Sequence, residues 1–273
     1  MNEIIPQQSD TCITCGTELI GNFCTQCGEK KLNPSKDYSI GKFLEQTVDA
    51  FTHFDSKFLR SFKALLLKPG FLTSEFIRGK RTPYMKPVQI YLVATILFYF
   101  IFPTNSTFYS SVDNMTDGNI LNYEVSKAVQ RKMATDSTSM RLVVKGVNEE
   151  AAHKSKAFLF LIIPFWGVCF YLLFRKSISF LVPHVVLAVH NLSFFILLFL
   201  LYLAIFSVFG HNLGELELIP LMIIFFIYMF ISIRKVYREN AVRSIMKSLL
   251  SFSSFFLLVV LYRQAITIWA LSS

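Results

Sequence analysis

The chain has 273 residues, of which 53% are hydrophobic, 29 are Phe and only 16% are charged. Soluble domains carry roughly 25% charged residues, and a water-soluble globule of this size could not bury so much apolar surface, so the composition excludes that class and calls for a chain with lipid to face. The net charge of +9 fits nucleic acid, an anionic membrane surface or membrane topology; its placement, described below, favours topology and points away from nucleic acid.

The N-terminal stretch Met1 to Asn33 is polar and has no apolar core segment of the signal-peptide kind, so the first hydrophobic helix is expected to insert as an uncleaved signal-anchor. Residues 1–30 form the first predicted domain, a zinc ribbon. Its ligands are Cys12, Cys15, Cys24 and Cys27, in two C-x-x-C-G turns separated by eight residues. Thiolates spaced in this way converge on one metal, and the glycine after each pair lets the backbone fold back toward the sulfurs. Two turns supply a closed tetrahedral set with no open coordination position, so the metal, Zn²⁺ on this donor chemistry, is structural. Iron on the same ligands and a pair of disulfides are the alternatives; a cytoplasmic location weighs against disulfides. The fifth cysteine, Cys169, stands alone in an apolar run and reads as a packing residue.

Residues 31–87 are predicted as a linker followed by amphipathic interfacial helices, with Glu29 to Ser39 flexible. From Ser39 to Leu67 the positions Ile40, Leu44, Val48, Phe51, Asp55, Phe58, Phe62 and Leu65 recur every three or four residues, only Asp55 breaking the apolar run, with lysines and acids on the other faces. Two compatible readings follow: helices lying in the headgroup plane against anionic inner-leaflet lipid, or helices packed on the protein's own bundle. Pro69-Gly70 ends that pattern, and Phe71 to Arg78 is a further short helix closed by Gly79.

Residues 88–273 are predicted as a transmembrane domain of about five helices, at 88–103, 157–174, 183–209, 216–233 and 248–270, with a polar loop at 104–156. The first segment is short for a span of about 20 residues. Within the loop, Tyr123 to Met133 and Arg141 to Ala152 are candidate short helices, and Ser106 to Asn119 reads as irregular. The fold class is therefore an all-α integral membrane bundle with a small N-terminal zinc ribbon. Basic clusters precede the first span (Lys68, Arg78, Lys80, Arg81, Lys86), follow the second (Arg175, Lys176) and separate the fourth from the fifth (Arg234, Lys235, Arg238, Arg243, Lys247). By the positive-inside rule these fall on one side if five spans start from a cytoplasmic N-terminus. The location that follows is a membrane crossed several times, with the N-terminus cytoplasmic.

In the third span His184, Asn191 and Tyr202 return to nearly one face at about 100° per residue, with His190 off it. Such a stripe is either interhelical hydrogen bonding or a transport path. Arg263 is the charge inside the last span, placed to snorkel to the outer surface or to face a cavity.

The cysteine turns, then His53-Phe54-Asp55-Ser56-Lys57-Phe58-Leu59-Arg60-Ser61-Phe62, Leu67-Lys68-Pro69-Gly70 and Arg78-Gly79-Lys80-Arg81-Thr82-Pro83-Tyr84-Met85-Lys86-Pro87 directly before a span, resemble an uncharacterised bacterial family of membrane proteins, a domain of unknown function. A weaker likeness runs from His184 to Phe194, where the family has a histidine-rich stretch and this chain reads Val189-His190-Asn191-Leu192-Ser193-Phe194. The resemblance implies architecture and no activity. No H-E-x-x-H, paired acids, Ser/His/Asp set or phosphate loop is visible, so the reading leans away from an enzyme. A non-enzymatic recruitment, scaffold or sensory protein, with a possible protein partner on the ribbon, is the first expectation; a small transporter or channel using the third-span stripe is the second.

Overall fold

A computed structural model describes residues 10–50, 57–102, 127, 140–208 and 218–272. Helices account for nearly all regular structure, and among the described residues the only β pairing is two isolated bridges near the N-terminus. In chain order the helices are α1 (Pro34–Asp37), α2 (Ile40–Ala50), α3 (Phe58–Leu67), α4 (Phe71–Arg78), α5 (Pro87–Ile101), α6 (Met140–Phe158), α7 (Ile162–Phe174), α8 (Leu181–Val208), α9 (Leu218–Tyr237) and α10 (Ala241–Ser272). The chain separates into two compact units, Met1–Phe98 with Trp166–Phe252, and Tyr99–Phe165 with Ser253–Ser273.

Helices α8, α9 and α10 are long and apolar enough to cross a membrane, and a fourth crossing exists if α6 and α7 form one broken span. Helix α5, the first predicted span, has 15 residues, or about 22 Å at 1.5 Å per residue, against a hydrocarbon core of about 30 Å. By length, then, three of the five predicted spans stand as single helices.

Helix α8 is the centre of the first unit. It is apolar all round rather than on one stripe, and 67% of its most apolar window is buried inside the protein, against 22% for α10. It packs on α2, α3, α4 and α9. Trp166, Phe170, Phe174 and Phe225 are fully enclosed in the same unit, and the Trp166 indole N–H donates to the Ser251 carbonyl at 3.2 Å.

Within the arm, Phe62 and Leu65 of α3 are buried while Ile40 and Leu44 of α2 are 56% and 57% exposed; beyond it Leu72, Phe76 and Ile77 of α4 are buried, and α4 packs on both α8 and α9. The Tyr228 hydroxyl reaches back from α9 to the Leu65 carbonyl at 2.7 Å. The turn between α3 and α4 explains Gly70. Its φ of +69° disfavours any residue with a Cβ, and a Cβ there would lie 2.8 Å from the Ser232 backbone on α9. Packing against the bundle does not remove the arm's solvent-side lysines, so the lipid contact expected for it is a separate question. His53 and Asp55 lie outside the described residues.

The second unit joins α6 to the far end of α10. Val144, Val147 and Ala151 pack on Ile266, Ala270 and Leu271. The Tyr262 hydroxyl donates to the Ser155 carbonyl at 2.7 Å, and the Lys154 ammonium lies 4.5 Å from the Trp269 ring centroid. The helix within the polar loop thus runs Met140–Phe158, longer than the predicted Arg141 to Ala152, because its apolar positions find partners on α10. Most of 104–139, including Ser106 to Asn119, lies outside the described residues.

Candidate metal centre and its docking surface

The cysteine module is built twice. In each half the second-turn glycine donates to the carbonyl of the first cysteine, Gly16 to Cys12 at 2.8 Å and Gly28 to Cys24 at 2.9 Å. The first cysteine's N–H in turn donates to the residue past that glycine, Cys12 to Thr17 at 2.7 Å and Cys24 to Glu29 at 2.8 Å. Isolated bridges Thr11–Glu18 and Phe23–Lys30 close the two halves at equivalent points. Gly16 and Gly28 have φ of +79° and +71° with open space around them, so the left-handed backbone, not crowding, is what demands glycine.

The two turns bring four sulfurs together. Cys12 Sγ lies 3.5 Å from Cys27 Sγ, Cys15 Sγ lies 3.5 Å from Cys24 Sγ, and all four fall within 4.8 Å of one another. Four thiolates about 2.3 Å from a tetrahedral ion would be roughly 3.8 Å apart, so the set fits a metal with little movement. The Thr17 hydroxyl and amide hold the Cys15 thiol down at about 6. The Glu29 amide works the same way on Cys27, but burial and the three other sulfurs push that thiol up to about 12. Cys15 thus ionises readily and Cys27 resists; a bound cation would remove that resistance.

The module does not hang from a flexible linker, as Glu29 to Ser39 was expected to be. Glu29 is 3% exposed, and its Oε2 accepts from the Thr14 hydroxyl at 2.8 Å and from the amides of Arg81 and Thr82 at 3.0 and 2.9 Å. Asp37, equally buried, accepts from the Lys30 ammonium at 2.6 Å and from the Asn33 N–H at 2.7 Å. The Tyr38 hydroxyl donates to the Ile77 carbonyl, and its ring is buried with Phe76, Val182 and Val186. The Arg81 guanidinium lies 4.3 Å from the Phe76 centroid and 5.7 Å from that of Tyr38. Burial lowers the Arg81 pKa and pushes Tyr38 up to about 12. The basic elbow after α4 is therefore a receptor for the cysteine module. Sequence reasoning missed Glu29, Asp37 and Arg81 as a set. A usable signal existed in Glu29 alone, an acid at the position where the first half has Thr17.

The intramembrane candidates are dispersed. His184 is fully buried, its Nε2–H donating to the Ile178 carbonyl at 3.0 Å and its Nδ1 paired with the Tyr237 hydroxyl at 2.7 Å. His190 Nδ1 pairs with the Thr73 hydroxyl of α4 at 2.8 Å. Asn191 donates to the Leu187 carbonyl of its own helix at 2.8 Å. Tyr202 stacks near Phe206 with ring centroids 4.7 Å apart. These side chains engage five different partners, Ile178, Tyr237, Thr73, Leu187 and Phe206, so the common azimuth does not bring them onto a common partner. Arg263 belongs to the second unit, half-buried on α10, with its Nε lacking a hydrogen-bond partner among the described residues. Cys169 is half-buried in α7.

Fold and site together define an all-helical membrane protein carrying an N-terminal cluster of four cysteines able to hold a metal ion. Residues 55–99, which span α3, α4 and most of α5, match the model of a family described as a protein of unknown function, DUF3667. No curated protein and no solved structure matches the chain.

Proposed function

We propose that the chain is a non-enzymatic recruitment protein of the bacterial inner membrane, whose structural zinc presents a cytoplasmic docking surface for a protein partner. The observation that carries this reading is the attachment of the cysteine module to the α4 segment and the elbow after it, through buried Glu29 on the Arg81 and Thr82 amides and Tyr38 on the Ile77 carbonyl. A module held this way offers its outer face in a fixed orientation. That face carries Ile20 and Phe23, 92% and 61% exposed, apolar side chains of the kind that anchor protein interfaces. A closed thiolate set supports a structural ion, and zinc is the ion that suits it at neutral pH. Transport is less well supported, since His184 and His190 are each hydrogen-bonded to another segment of the bundle and Asn191 donates to its own helix.

A photo-crosslinking residue at position 23 of the full-length protein in native membranes tests the reading. A discrete protein adduct, lost in an Ile20→Asp variant that still binds one zinc, is the expected result. Adducts to lipid alone would overturn it. Orientation is tested by reporters after Phe209 and after Arg238, expected outside and inside respectively.

A further inference from the structure

We propose that the groove between α4 and the polar end of α9 binds the headgroup of one anionic phospholipid, with its acyl chains lying along α9. The groove encloses about 410 Å³, and its charged and polar walls are Ser74, Glu75, Arg78, Lys235 and Arg238, with Phe71 beside them. That volume suits a phosphodiester headgroup rather than a single ion or water.

The charge balance is positive and partly uncommitted. Glu75 is the acid in the groove; its carboxylate is already engaged by Arg78 at 3.2 Å and Lys80 at 3.6 Å. Lys235 forms no ion pair among the described residues and rests 5.0 Å from the Phe71 ring centroid, with Lys68 5.4 Å from the same ring. Arg238 likewise has no carboxylate partner among the described residues. Cations at a helix C-terminus also answer the helix dipole, so position alone would not point to a ligand. Two further features do.

First, Arg238 is the one non-glycine residue at positive φ among the described residues, at 53°. Its amide closes α9 by donating to the Arg234 carbonyl at 3.0 Å. Glycine or asparagine usually fills such a position, and a long cation held there against backbone preference fits a demand on its side chain. Second, the exposed face of α9 is apolar along most of its length, with Ile224 47% exposed beside a row of isoleucines in steps of four. Ile219, Ile223, Ile227 and Ile231 are 43–53% exposed, and the next step of the row is Lys235. The opposite face, Leu221, Phe225, Tyr228 and Met229, is buried. An apolar track on a membrane-crossing helix that runs directly into a cationic groove has the shape of a lipid, tails on the isoleucines and phosphate on the cations. Free phosphate would have no use for the track.

The test uses the full-length protein in zwitterionic detergent with phosphatidylglycerol or phosphatidylcholine of equal chain length, read by native mass spectrometry and by thermal shift. One phosphatidylglycerol should be retained with about tenfold preference over phosphatidylcholine. The preference should vanish in Lys235→Gln/Arg238→Gln and survive in Arg175→Gln/Lys176→Gln, a basic pair outside the groove. Arg238→Gly, which suits the backbone, should lose the lipid while keeping or raising the melting temperature, separating lipid loss from misfolding. Equal retention of the two lipids, or undiminished retention in the double variant, would overturn the proposal. So would saturation by inorganic phosphate alone with no dependence on lipid.

Discussion

The cysteine module and the α8 core are held by opposite means. The module, residues 10–31, has almost no apolar interior; its buried side chains are sulfurs and the Glu29 carboxylate, and Ile20 and Phe23 face outward. The α8 region has a mainly apolar interior, with His184, His190, Asn191 and Ser193 buried in it. Its polar groups are single hydrogen-bonded residues set among aromatic rings, such as Phe194 against Tyr228 at 3.5 Å and Phe174 against Tyr237 at 3.9 Å between centroids. A segment of some twenty residues cannot bury enough surface to fold by hydrophobic burial, so it depends on a metal and on a polar seat. The core needs neither. The two regions should therefore fail independently and for different reasons.

The largest expected effect follows from the metal. Cys12→Ser or Cys24→Ser should drop bound metal from about one ion per chain to near zero and unfold the module, since a structural zinc contributes on the order of 10 kcal/mol. Limited proteolysis should then cut within 10–31 while the helical circular-dichroism signal stays. If metal loss also melted the helices, the two regions would not be independent.

Damage to the core should show the reverse pattern. Trp166→Ala removes a fully buried ring and should cost about 3–5 kcal/mol, seen as a lower melting temperature in detergent with metal content unchanged. Gly70→Ala should act in the same direction, through a backbone collision with α9 rather than a cavity.

The seat between the regions comes next. Glu29→Ala leaves the Arg81 and Thr82 amides without their acceptor and should cost about 1.5–3 kcal/mol of docking. Metal should stay bound while protease sensitivity appears between Lys31 and Tyr38. Glu29→Gln keeps an acceptor oxygen and should lose less. A metal-free Glu29→Gln protein would show that the seat is part of the metal site instead.

The smallest effect is a pH dependence. Burial acts to raise the Asp37 carboxyl, but the Lys30 ammonium, the Asn33 N–H and the Arg81 charge outweigh it and hold the group below its ordinary 3.8. A carboxyl depressed on folding stabilises at pH above its unfolded value and loses that contribution as pH falls through the lower folded value. The stability difference between the native protein and Asp37→Asn, from denaturant midpoints, should be constant from neutral pH to about 5 and close below 3.8.

Sequence by itself determined the features that depend on near neighbours. The C-x-x-C-G spacing places two sulfurs per turn through local backbone geometry, and the structure brings all four within 4.8 Å. Unbroken apolar runs of 20 residues and more must be helical to satisfy their backbone groups in lipid, and α8, α9 and α10 are. What only the tertiary structure decided is where polar and amphipathic groups find their partners. Glu29 meets Arg81 and Thr82 across more than fifty positions, and Thr73 meets His190 across 117. An azimuth on one helix says nothing about which helix stands opposite, which is why His184, Asn191 and Tyr202 share a face by periodicity and not a hydrogen-bond partner. The arm from Ser39 to Leu67 is the same lesson from the apolar side. Amphipathic periodicity fixes which face must be covered, whereas the cover that Phe62 and Leu65 find depends on contacts that span the chain, such as that of Tyr228 on α9 to Leu65.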